Sequence, residues 1–184
     1  MKQVAHDPGG VARGTPPPKL ALDAAGERAM DGQVQLDPRE RPLVLVVDDE
    51  AAIRLLCRVN LRLEGLDTAE AGDGVTALEL ARRLKPDLIL LDVMMPEVDG
   101  WQVADALSRD PELEELPVVF LSARAEPADY AHGYDLGAVG YVTKPFDPTT
   151  LGSILHETFD RLGRGEREEL RRERLDELGE RHEG

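Results

Sequence analysis

PLVLVVDDE (residues 42–50) runs five apolar residues straight into a pair of carboxylates. An apolar run of this length, bounded by turn signals, reads as a buried strand. The construction recurs. DLILLD (87–92) ends on Asp92, PVVFLS (117–122) ends on Ser122, and GYVTKPF (140–146) carries Lys144. In an open α/β sheet, ligands bind at the carboxyl ends of the strands. Three carboxylates (Asp48, Asp49, Asp92), a hydroxyl (Ser122) and an ammonium (Lys144) should therefore meet at one sheet edge. Such a set suits a divalent cation and an incoming phosphoryl group.

Between these runs the pattern turns helical. Strand one is 43–47, and a helix with Ile53, Leu56, Cys57 and Leu61 on its core face runs to about Glu64, stopped by Gly65. A weak strand at 67–71 leads to a helix opened by Asp73-Gly74 and ended by Lys85-Pro86. Strand three is 87–91. After Asp99-Gly100 a third helix runs to about Ser108. Strand four is 117–121, a fourth helix starts at Glu126-Pro127 and stops by Gly137, and strand five is 139–142. Asp147-Pro148 caps a fifth helix to about Leu162. Alternating strands and helices imply βαβ units and a parallel sheet covered on both faces. The expected fold is α/β, a flavodoxin-like doubly wound sheet of five strands in the order 2-1-3-4-5 with five helices. It forms a single domain at 42–162, flanked by a disordered extension (1–41) and a charged, partly helical tail (163–184). Within the extension, Pro16 to Pro18 is extended and Leu20 to Met30 is a candidate short helix. The tail, rich in Arg and Glu, reads first as a solvated extension of the last helix and second as a partner-binding helix.

The chain has 184 residues, 41% of them hydrophobic, and a formal net charge of −15. That charge repels nucleic acid and anionic membrane, so neither is expected as a direct partner. The single cysteine excludes an internal disulfide framework. The first thirty residues lack the apolar core of a signal peptide, and no run approaches membrane-spanning length. The expected location is the cytoplasm. Asp73 and Asp99 read as helix caps, Trp101 as packing on the third helix, and Cys57 as a small core residue. His132 and His156 have no second ligand at metal-binding spacing.

The motifs VVDDE around Asp48-Asp49, LLDVMMPEVDG around Asp92, FLSA around Ser122 and GYVTKPF around Lys144 resemble the receiver domain of bacterial response regulators. The resemblance spans Arg41 to about Leu162. It implies that Asp92 is the nucleophile that takes a phosphoryl group from a phosphohistidine, on a histidine kinase or a phosphotransfer protein. It implies Mg²⁺ (Mn²⁺ as a substitute) held by Asp49, Asp92 and the Met94 backbone carbonyl, with Asp48 holding one of the metal's waters. Lys144 then pairs with a phosphoryl oxygen, and a cis peptide before Pro145 fixes its direction. Ser122 donates to the phosphoryl group. Tyr141 matches the switch aromatic, although a tyrosine there also fits ordinary packing. Carboxylates this close raise at least one pKa when no metal is bound.

Two other readings weaken on the residues. A haloacid-dehalogenase-type phosphatase needs a second Asp two residues after the nucleophile, and Met94 stands there. A nucleotide-binding domain needs a Gly-rich phosphate loop after strand one, where this chain has Asp48-Asp49. The short stretch after Leu162 suggests a stand-alone receiver with no DNA-binding output. It would catalyse its own phosphorylation and slow dephosphorylation, turn over no external substrate, and contact a protein target through helix four, strand five and helix five. Winged-helix members of the family that this chain resembles dimerise through paired charges on helices four and five; the helix-four segment here has no Lys or Arg and Ile154 falls about midway along helix five, so the resemblance implies a monomer before phosphorylation. A relay intermediate and a phosphorylation-independent adaptor are the alternatives. Met94 and Arg124 flank the path of an attacking water, and Met94 cannot orient one, so hydrolysis over minutes or longer is expected.

Overall fold

The apolar runs at 43–47, 88–91 and 118–121 form the middle of a parallel sheet, because they are buried on both faces and each has a paired strand on either side. A computed structural model describes residues 40–124 and 126–180. The strands are β1 (Leu43–Val47), β2 (Asp67–Ala71), β3 (Leu88–Asp92), β4 (Val118–Ser122) and β5 (Gly140–Thr143), in the order β2-β1-β3-β4-β5. The helices are α1 (Ala51–Leu63), α2 (Gly74–Leu84), α3 (Gly100–Ser108), α4 (Pro127–Asp135), α5 (Pro148–Gly163) and α6 (Arg167–Glu180). This is the doubly wound plan expected, with one further helix. The disordered extension expected at 1–41, with its candidate helix, falls almost wholly outside the described residues.

The strands alternate their side chains between two apolar layers. Leu45, Val47, Ile89, Leu91 and Phe120 face α2, α3 and α4. Val44, Val46, Leu90, Val119 and Leu121 face α1 and α5, where Cys57, Leu61, Leu151 and Leu155 close the layer. Burial pushes the Cys57 thiol up to about 12, so this residue is an inert core group. Leu56 departs from expectation. It is 37% exposed, because the buried line of α1 runs through Cys57 and Leu61.

β3, β4 and β5 each end one residue later than the sequence suggested. Asp92 and Ser122 are the last residues of their strands, and the Lys144 amide donates to the Ser122 carbonyl at 2.8 Å, extending the ladder. The backbones that carry the site are thus held by the sheet. Asp73 and Asp99 cap α2 and α3, each accepting from the amide three residues on. The Trp101 ring packs 4.5 Å from Phe120 and 4.9 Å from His132, between the sheet and α4.

The tail corrects its first reading. α5 does not continue. Gly165 adopts a φ of 77°, its amide bonds the Leu162 carbonyl, and the Glu166 amide bonds the Arg161 carbonyl. This left-handed stop turns the chain back. α6 then lies against the domain with Leu170 fully buried in the layer of α1 and α5.

Candidate functional site

Asp48 and Asp49 follow β1, and Asp92 ends the adjacent β3. Asp48, Asp49 and Asp92 offer carboxylate oxygens within 4.8 Å of one another. Asp48 and Asp92 are buried and Asp49 is exposed, so the cluster opens to solvent on the Asp49 side. The Lys144 Nζ reaches in from the end of β5, 2.6 Å from Asp48 Oδ2 and 3.0 Å from Asp92 Oδ2. The Lys144-Pro145 peptide is cis, as expected.

Each buried carboxylate is held on both sides. Asp92 Oδ1 accepts from the Met94 amide at 3.1 Å, and Asp48 Oδ1 accepts from the Glu50 amide at 2.9 Å. Burial holds the Asp48 carboxyl above its ordinary value against the opposing pull of Lys144 and the Glu50 amide, and the Asp92 charge adds to the rise. Burial alone would lower the Lys144 pKa. Its bonds to Asp48 and Asp92 outweigh that and raise it, so the ammonium stays charged. Three carboxylates against one ammonium leave two negative charges uncompensated. Oxygen ligands with that charge deficit fit a hard divalent cation such as Mg²⁺.

Ser122 is buried one residue beyond the Asp92 register position on β4, and its hydroxyl oxygen accepts from the Arg124 amide at 3.0 Å. The Tyr141 phenol also lies within hydrogen-bonding reach of this hydroxyl, so the serine proton is shared between the ring and the site. Tyr141 lies mid-strand on β5, opposite Phe120, and donates its hydroxyl to the Arg124 carbonyl at 3.0 Å. Burial raises its pKa, so the phenol stays a donor. Tyr130 on α4 packs edge-on against Tyr141 at 4.4 Å.

Two features escaped the sequence reading. The Arg54 guanidinium donates to the carbonyls of Asp48 (2.6 Å) and Asp49 (3.1 Å), fixing the loop that presents both carboxylates. No motif marks it, since an arginine one turn into a helix is common. Arg124 is more than a flank of the water path. Its amide, carbonyl and side chain meet Ser122, Tyr141 and Met94 respectively, and its guanidinium lies 3.7 Å from Asp129.

Residues 44–156 match the family described as the response regulator receiver domain. The chain belongs to that family. Among solved structures, the receiver resembles the chemotaxis protein CheY4 of Vibrio cholerae (32% identity, TM-score 0.61, 64% of this chain and 98% of that one). It also resembles the receiver domain of Francisella response regulator 1452 (32% identity, TM-score 0.62, 66% and 99%). Among curated proteins, it is 44% identical over 106 residues to the DNA-binding dual master transcriptional regulator RpaA of Synechocystis, covering 58% of this chain and 44% of that protein. It is 42% identical over 111 residues to the DNA-binding response regulator MtrA of Mycobacterium tuberculosis, covering 60% and 47%. The chain spans about half the length of the curated relatives it matches.

These relatives overturn two expectations. The short stretch after Leu162 suggested a receiver without a DNA-binding output, and the net charge suggested no direct nucleic-acid partner. RpaA and MtrA are DNA-binding regulators. A charge summed over an acidic receiver does not carry over to the part of a regulator that touches DNA. Among the described residues, no helix is long and apolar enough to cross a membrane.

Proposed function

We propose that this receiver takes a phosphoryl group onto Asp92 from a phosphohistidine on a histidine kinase or phosphotransfer protein. The observation that carries the reading is Lys144 bridging Asp48 and Asp92 inside the carboxylate cluster. An Asp92 oxygen attacks phosphorus, the new O–P bond forms as the N–P bond to imidazole breaks, and the imidazole leaves neutral after taking a proton from solvent. The bonds from Met94 and Lys144 orient the Asp92 carboxylate beforehand. Lys144 offers charge to a phosphoryl oxygen, and Ser122 offers its hydroxyl proton. Asp49, Asp92, the Met94 carbonyl and Asp48 through a water are the residues that would hold Mg²⁺, which supplies neutralisation of charge on the transferring group. Tyr141 and Ser122 share Arg124 as a partner, so a phosphoryl group that draws in Ser122 also disturbs the tyrosine. The 42–162 segment is the functional unit, working in the cytoplasm where such donors act. The whole protein's output is proposed to be regulatory and of the transcriptional kind found in the curated relatives.

A donor protein must reach Asp92 past Asp49, beside the start of α1. Leu55, Leu56, Val59 and Leu63 form an exposed apolar line along that helix, with Leu63 79% exposed. Its continuity with the mouth of the site makes it the surface on which we place the donor's phosphohistidine-bearing helix.

Incubating the protein with Mg²⁺ and acetyl phosphate tests the central step. The intact mass should rise by one phosphoryl group in the wild type and stay unchanged in Asp92→Asn. No gain in a folded wild-type protein would sink the reading.

A further inference from the structure

α4 is tied down at both ends. Its first turn touches the neighbourhood of the site, through the Asp129 approach to Arg124 at 3.7 Å, the Tyr130–Tyr141 ring contact, and the Tyr130 hydroxyl 3.4 Å from the Thr143 hydroxyl. Its last turn is gripped by α6, where the Arg171 guanidinium donates to the Tyr134 carbonyl. Two further ties hold α6 in place. Leu170 is fully buried in the core layer, and Arg167 donates to the Glu115 carbonyl ahead of β4.

The grip is of a particular kind. Leu170 is the one buried apolar anchor of α6 among the side chains described, and Leu175 is 39% exposed. Further ties are ion pairs whose carboxylates reach solvent, with the largely covered Arg161 bonded to Glu166 and Glu173, and Arg174 3.5 Å from Glu157. Exposed ion pairs hold weakly and are screened by salt. The buried Nε of Arg171 has no hydrogen-bond partner, which weakens the hold further. The Gly165 turn gives α6 a hinge at its base. A helix held this way can let go without the sheet unfolding.

We propose that α6 is a releasable brace on α4, coupled to the state of the acidic site. The proposal rests on the receiver reading above. A phosphoryl group on Asp92 adds negative charge below the mouth of the site and attracts the Arg124 guanidinium away from Asp129. The first turn of α4 loses that tie, and its contact with Tyr141 is disturbed through the Arg124 carbonyl. α4 has nine residues and moves as a rigid rod, so a shift at its start displaces the Tyr134 carbonyl that Arg171 holds. Phosphorylation thereby loosens α6. Coupling is reciprocal, so loosening α6 favours the phosphorylated form.

The test uses the full chain treated with acetyl phosphate and Mg²⁺, with intact mass recorded on the same samples as amide hydrogen exchange. The phosphorylated protein should exchange the α6 amides about fivefold faster or more, a modest value for coupled sites. Leu170→Ala, which loosens the brace directly, should reach half phosphorylation at a correspondingly lower acetyl phosphate concentration. Arg171→Gln, which keeps the core anchor, should act in the same direction and serves if Leu170→Ala fails to fold. A gain in mass with unchanged α6 exchange would overturn the brace and leave the receiver reading standing. Faster α6 exchange in the variants with unaltered phosphorylation would do the same. No gain in mass would overturn both.

Discussion

The Arg124 Nε lies 3.0 Å from the Met94 Sδ, so the two side chains meet across the mouth of the acidic site. Met94 is half exposed and offers only a weak sulfur acceptor. Met94 thus gives a water on the approach to Asp92 no strong hydrogen-bonding group to align it for attack. The aspartyl phosphate should therefore persist for minutes or longer once acetyl phosphate is removed. Met94→Asn, which supplies a hydrogen-bonding amide, should shorten its life several-fold. Timed intact-mass spectra measure both, and decay of the wild type within seconds would contradict this role of Met94.

A carboxylate cluster that holds Mg²⁺, as proposed, should make ion binding and stability depend on pH together. The Asp48 carboxyl sits above its ordinary value of 3.8 through burial, so the native state holds that proton more tightly than the unfolded chain. The stability this group contributes is full below the unfolded value and is lost as pH rises through the raised native value. Mg²⁺ held by this cluster would compete with protons there, so it should raise Tm strongly near pH 7 and little near about pH 4. Thermal melts with and without Mg²⁺ across that range check this. An equal Mg²⁺ effect at both ends would show that the carboxylates do not bind the ion.

Gly100 packs directly beneath Asp92. A Cβ added there would lie 2.2 Å from the Asp92 carbonyl oxygen and 2.8 Å from the Val93 Cα, and neither is a side chain that can move aside. Gly100→Ala should destabilise the protein by about 1–3 kcal/mol. It should also slow phosphorylation by about tenfold or more, because displacing the Asp92 backbone spoils the alignment of its carboxylate. Denaturant melts and acetyl phosphate kinetics measure the two effects. Wild-type rates in the variant would show that Asp92 tolerates movement.

The exposed line on α1 separates protein donors from small ones. Leu55→Asp with Val59→Asp leaves Asp92 and its neighbours intact, so modification by acetyl phosphate should stay within about twofold of wild type. Transfer from a phosphorylated histidine kinase should fall by about tenfold or more, since charges would replace the apolar anchors of a docked helix. Equal losses with both donors would point to damage at the site rather than at a docking surface.

Most of the sheet was legible because buried parallel strands are continuous apolar runs, and each run here ends on a polar group. Asp48, Asp49, Asp92 and Lys144 could be assembled from that pattern alone, since strand ends of one sheet share an edge. The strand ends came one residue short because polarity at Asp92, Ser122 and Thr143 masks membership of the hydrogen-bonded ladder. α6 was misread because its composition is that of a solvated helix, and one buried leucine outweighs it. The pair of glycines at 163 and 165 was the available signal for a break. Arg54 and the several contacts of Arg124 depend on tertiary placement that no local pattern records. The DNA-binding character of the relatives lies beyond any pattern in the receiver itself.

Trp101 gives the molecule a built-in optical reporter. It is the single tryptophan in the chain, wedged against Phe120 of β4 and against His132 of α4. A Cβ added at Gly133 of α4 would lie 3.2 Å from the Trp101 Cζ3, so the indole leaves little room between itself and that helix. A displacement of α4 against the sheet would change the environment of the indole at once. Its emission would then follow the signalling state in real time, in an unlabelled protein, with no second tryptophan to blur the record.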